Sequence, residues 1–180
     1  MKHTLAKILL LILCSPAFAQ PLDIDDQKNY RLPPEVKHFK LWYGDVGTGE
    51  IIYLGTKPIA GFETELHLHF FKNKIFKTLL ILGPAGIYEE NCVKKYKEVI
   101  SVLNEKYGHY KYQKVIKDPI ADDLVSTSIC MPIQLGLYDI VTQWESGDYT
   151  ITSRIIGDED GWYIEVEYTK KNPINKNILK

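Results

Sequence analysis

The sequence predicts an α+β domain: an antiparallel β-sheet, four strands on either side of one long amphipathic helix, curled around that helix and held by one disulfide. Three observations predict it. From Ile87 to Gly108, Tyr88, Cys92, Tyr96, Val99, Leu103 and Tyr107 recur three or four residues apart, which makes one helical stripe over roughly six turns. The other apolar runs are short, rich in aromatic and β-branched residues, and bounded by turn residues. The links between them are short, which favours antiparallel neighbours. A one-sided helix has to bury its stripe, and the sheet is the surface on offer.

An address precedes the domain. Lys2 and Lys7 flank the start of a short apolar run, Ile8 to Leu13, and Ala17-Phe18-Ala19 has the form of a cleavage site. Residues 1–19 therefore read as a secretory signal peptide, too short for a membrane span. The mature chain is expected to be exported, periplasmic or secreted, with no membrane span. Residues 20–36, with Asp23, Asp25, Asp26 and the Pro33-Pro34 pair, read as an extended leader. Residues 37–170 read as a single domain and 171–180 as a frayed basic tail. Cleavage leaves about 161 residues, within the usual range of one domain. The chain has 22 Lys+Arg and 23 Asp+Glu, and loss of Lys2 and Lys7 leaves 20 basic residues against 23 acidic. That balance argues against nucleic acid or an anionic membrane surface as partner.

In chain order, Phe39 to Tyr43 alternates, and Gly44 to Gly49 is a turn-rich link to a second strand, Glu50 to Thr56. A third strand spans Phe62 to Phe71, with Phe62, Leu66, Leu68 and Phe70 on one face. Lys72-Asn73-Lys74 is a tight hairpin connection into the strongly apolar strand Ile75 to Leu82, which is expected to be central. In the helix, Val93 and Ile100 widen the stripe, while Lys94, Lys95, Lys97, Glu98, Asn104 and Glu105 fill the other side. Gly108 stands where a left-handed C-cap belongs. A strand from His109 to Ile116 follows. Lys117 to Leu135 reads as a long loop, with one helical turn around Ile120 to Val125. Leu137 to Glu145, Tyr149 to Ile156 and Trp162 to Thr169 close the domain, joined by Ser146-Gly147-Asp148 and by Gly157 to Gly161.

Loss of Cys14 with the signal peptide leaves Cys92 and Cys130. In an oxidising compartment an even pair is most simply a disulfide, here tying the first helical turns to the long loop. Closing such a loop stabilises by roughly 4 kcal/mol in the chain-entropy model.

The candidate sites are few. Glu63, Glu65, His67 and His69 alternate with the apolar set and project from one face of the third strand. Two imidazoles two residues apart, with the carboxylate of Glu65 beside them, suit zinc, which takes nitrogen and oxygen ligands. The plainer reading is a solvated face whose charges pair with Lys57, Lys74 or Lys77. Gly83-Pro84-Ala85-Gly86 could cradle an anion at the helix start. However, it lacks the lysine and hydroxyl of a phosphate loop, and Glu89 and Glu90 repel anions. Ser126 and Ser128 have no neighbouring histidine, and Asp158-Glu159-Asp160 lacks the further carboxylate of a calcium loop. Tyr110, Tyr112, Tyr149 and Tyr163 could form a row for recognition.

The leading expectation is therefore an exported, non-enzymatic binding module of inhibitor, immunity or envelope-accessory type. It would engage a protein partner in the cell envelope or outside it, through the open sheet face or the Lys117–Leu135 loop, without a cofactor. The alternatives are zinc binding through His67, His69 and Glu65, or a small-ligand carrier with its pocket between the sheet and Tyr96 and Leu103.

Overall fold

The computed structural model describes residues 39–56, 62–71, 74–85, 91–119, 121, 129–147, 149–158 and 161–171. The expected signal peptide and leader, the expected tail beyond Lys171, and all of the expected turn at Ile120–Val125 except Ala121 lie outside those residues.

Eight strands form one antiparallel sheet in the order β1-β2-β3-β4-β8-β7-β6-β5. Strands β1 (Phe39–Asp45), β2 (Glu50–Gly55), β3 (Thr64–Phe71) and β4 (Lys74–Ala85) succeed one another across one half. The chain then passes through α1 (Cys92–Tyr107) and reaches the far edge as β5 (Tyr112–Lys117). After the short α2 (Cys130–Gln134) it returns through β6 (Tyr138–Ser146), β7 (Tyr149–Asp158) and β8 (Gly161–Lys170), which pairs with β4. Between β1 and β2, Thr48 N–H donates to Asp45 Oδ1 at 3.0 Å and Asp45 N–H donates to Thr48 Oγ1 at 3.1 Å, closing the link locally.

Period-two alternation decides which side chains meet. Leu66, Leu68 and Phe70 of β3 face the same side as Leu80 and Leu82 of β4, Trp162, Ile164 and Val166 of β8, and Ile151 and Ile155 of β7. All of these belong to one buried cluster with the inward residues of α1. The intervening residues of the same strands point to the opposite face.

The expectation of a sheet curled around one long helix is overturned. The described helices are α1, with 16 residues, and α2, with 5, against eight strands. At ~4.8 Å per strand the sheet is about 34 Å wide, whereas a 16-residue helix is about 24 Å long and roughly 10 Å across. Helix α1 lies against β6 and β7, and α2 against β6, β7 and β8, so together they cover only part of one face. From Cys92 onward the stripe is where periodicity puts it: Cys92, Tyr96, Val99, Ile100 and Leu103 are buried, joined by Val102, while the expected start at Ile87 and Tyr88 lies outside the described residues. A stripe dictates that a helix packs, but it does not dictate how much sheet one helix must serve.

Polar anchors fix α1 on the sheet. The Tyr96 hydroxyl is 2.8 Å from Thr142 Oγ1 and 2.9 Å from the Ser153 carbonyl. Burial pushes this hydroxyl up to about 12. At the other end, Asn104 Oδ1 accepts from Trp144 Nε1 at 3.0 Å and from Tyr110 N–H at 3.2 Å. Gly108 ends the helix with φ +80°, and its N–H returns to the Asn104 carbonyl.

Cys92 and Cys130 form a disulfide with Cα atoms 5.8 Å apart, joining the first residue of α1 to the first residue of α2. Helix α2 sits directly on β7 at Gly157, where a Cβ would run into the backbone of Ile133 and Gln134. The distal part of the expected loop is thus a pinned helix.

Candidate functional site

The face of the sheet opposite the core is a band of ionisable groups set among apolar ones. Glu50 on β2, Glu65, His67 and His69 on β3, Lys77 on β4, Glu165 and Glu167 on β8, and Arg154 on β7 all point this way. Their side chains are 15–43% exposed, so the band is only partly wet. Ile52 on the same face is buried, yet it stands outside the core cluster.

Antiparallel register assembles the band's first cluster. Pairing β2 with β3 sets Glu50 opposite His69 and Ile52 opposite His67. The Glu50 carboxylate reaches 3.2 Å from His67 Nδ1 and 3.6 Å from His69 Nδ1. Glu65 Oε2 takes the other nitrogen of His67 at 3.0 Å. Each ring nitrogen of His67 thus faces a carboxylate, one from β2 and one from its own strand. The His67 and His69 rings stack at 6.5 Å. His69 Nε2 is buried and has no hydrogen-bond partner among the described residues. Burial chiefly holds His69 below its ordinary value; Lys77 and His67 add to this, while Glu50 and Glu167 oppose it.

The second cluster spans β4, β8 and β7. Lys77 Nζ lies 2.8 Å from Glu167 Oε2, and the Thr169 hydroxyl donates to Glu167 Oε1 at 2.6 Å. Burial alone would raise the Glu167 carboxyl, yet these contacts and nearby Arg154 hold it below its ordinary value. Glu165, 3.7 Å from Arg154 Nε, goes the other way because burial outweighs the guanidinium. Asp139 is likewise raised by burial, against the pull of Arg154.

The structure therefore brings together the expected zinc ligands His67, His69 and Glu65, and adds Glu50 among them. In this arrangement their contacts run to one another's carboxylates, and no set of three His, Cys, Asp or Glu side chains among the described residues is arranged to hold a metal ion. Of the anticipated cross-strand lysines, Lys77 pairs with Glu167, and Lys57 lies outside the described residues. The signal for Glu50 was available, because a hairpin of two antiparallel strands places it beside the histidines. Gly83 to Ala85 continue β4 instead of turning, with Gly83 N–H donating to the Glu63 carbonyl at 2.9 Å. Tyr112 and Tyr163 face the polar side, whereas Tyr149 shares the parity of buried Ile151 and Tyr110 packs edge-on against Trp144, so the four tyrosines do not form one row. Tyr96 and Leu103 are packed into the core. Ser126 and Ser128 lie outside the described residues.

The two sheet edges make a second candidate surface. Leu41, Trp42 and Tyr43 on β1 and Tyr112, Val115 and Ile116 on β5 are 46–62% exposed, and they account for six of the nine exposed large hydrophobic residues among the described residues. Both strands end the sheet. The β1–β2 register slips between Leu41 and Tyr43, so Trp42 is the extra residue of a bulge. The β5–β6 register runs unbroken from Tyr112↔Gln143 to Lys117↔Tyr138. No described helix is long and apolar enough to cross a membrane. Comparisons with protein-family models, curated proteins and solved structures find no match, so the chain's own geometry carries the functional reading.

Proposed function

We propose that this chain is an exported, non-catalytic protein-binding module that engages its partner through the exposed edges of the sheet. The observation that carries the reading is the concentration of exposed apolar side chains on β1 and β5. Edge strands present rows of backbone donors and acceptors that an incoming strand can pair with, and edge charges decide which strands are admitted. Here β1 has seven residues and β5 six, and each carries at least three large apolar side chains. Strand addition is an established mode of peptide recognition, with backbone bonds supplying affinity and alternate side chains supplying selectivity. Support for export comes from the signal-like residues 1–19 and from the Cys92–Cys130 disulfide, which suits an oxidising compartment.

The test is site-specific photocross-linking in the native host, with benzoylphenylalanine placed in turn at Trp42, Tyr112 and Tyr163. An adduct of discrete mass at either edge position, with none at Tyr163 on the polar face, is the expected result. Adducts confined to Tyr163, or none at all, would overturn the edge reading.

A further inference from the structure

We infer that β5 is the receiving edge, and that it takes an extended segment of another protein in which acidic residues three positions apart stand among apolar ones. The inference deepens the edge reading and rests on it. Two observations separate β5 from β1. The first is geometric: the unbroken β5–β6 register leaves a regular ladder for a ninth strand, whereas the bulge at Trp42 interrupts β1. The second is charge. Residues 111–116, Lys-Tyr-Gln-Lys-Val-Ile, hold two lysines and no carboxylate, and all six are exposed. Glu145, the acid near Lys111, is itself bonded to Lys171 at 3.1 Å.

The three-residue spacing of Lys111 and Lys114 then specifies the guest, because it places one lysine on each face. Tyr112, Lys114 and Ile116 point to the polar face, in register with Gln143, Val141 and Asp139. Gln113 and Val115 point to the helix side, where Gln113 Nε2 donates to Thr142 Oγ1 at 2.9 Å. A strand laid beside β5 meets lysine next to apolar surface, so acidic side chains gain a cross-strand partner and apolar ones gain cover. A second copy pairing β5 to β5 would bring lysines together, which disfavours self-association at this edge.

The experiment measures fluorescence anisotropy of two labelled Val-rich octapeptides with the mature chain, one with Glu at every third position (Val/Glu) and one with Lys there (Val/Lys). The Val/Glu peptide should bind about ten-fold tighter, with affinity falling as salt rises, and K111E/K114E should reverse the preference. Lys114→Pro and Val115→Pro supply the backbone arm. Adjacent residues send their N–H groups to opposite sides, so one of the two removes an outward donor while sparing the β5–β6 ladder. Whichever variant keeps the wild-type Tm should lose the peptide; if neither keeps it, the charge reversal decides. Equal binding of both peptides, an unchanged preference in K111E/K114E, or dimerisation through β5 seen by sedimentation would overturn the assignment. Failure of both peptides while benzoylphenylalanine at Trp42 still captures a partner would remove β5 and leave the edge reading standing.

Discussion

Leu66 and His67 are neighbours on β3, and nothing around them is alike. Leu66 is fully buried, its surroundings are apolar, and its position needs no partner beyond close packing. His67, 15% exposed, is held between two carboxylates from two strands, and those strands also carry Ile52 and other half-covered apolar groups. The helix side answers burial with hydrocarbon. The polar side keeps ionisable groups half out of water and balances each against another, an arrangement in which removing one partner harms more than removing both. The first face is organised for stability. The second carries charge at a cost that packing alone does not require.

The difference can be broken at its strongest point first. Leu66→Ala should lower stability by about 2–5 kcal/mol in urea unfolding, whereas Ile81→Ala, half-buried on the polar face, should cost markedly less. Equal losses would mean that the two faces are equally interior. Tyr96→Phe comes next. It leaves the Ser153 carbonyl without the hydroxyl proton beneath α1, and a loss of about 1–2 kcal/mol is expected. An unchanged midpoint would show that apolar packing alone seats the helix. The smallest effect concerns pH. Because His69 is held below the ordinary histidine value of 6.5, the unfolded chain takes up that proton first as pH falls. The contribution of His69 is whole above about 6.5 and declines below it, so stability should slope downward there and His69→Asn should flatten the slope. An identical slope in the variant would assign the pH dependence to groups other than His69.

Much of this was legible in the residues, for local reasons. Alternation along β3 identified Leu66, Leu68 and Phe70 as inward, and helical spacing identified the stripe of α1, because both periods are written in neighbouring side chains. Two cysteines downstream of a signal-like segment implied their bond. What could not be read depends on residues far apart in sequence. Nothing local says that β4 lies beside β8, or that β5 is an edge. Helix α2 was hidden by Pro132, which reads as a loop signal but is tolerated in a first helical turn. Asn104, read as solvated, is the acceptor for Trp144 and Tyr110, since an amide on the polar side of a helix end can turn back toward the sheet. Glu50 belongs between these cases, because its place beside the histidines follows once two neighbouring strands are paired.

The seam between β4 and β8 sets the order in which the molecule can form. Strands β1–β4 join partners adjacent in sequence, and so do β5–β8, so each half closes through neighbouring strands, the β5–β6 link through α2 being the longest. The β4–β8 pairing alone must bring together chain ends separated by α1, β5, α2, β6 and β7, so the slow, long-range part of the conformational search is concentrated in one step. The Cys92–Cys130 bond lies inside that excursion and shortcuts it. A chain oxidised before the halves meet has less loop to close than a reduced one, which makes the redox state of the folding compartment a control on how fast the two halves become one sheet.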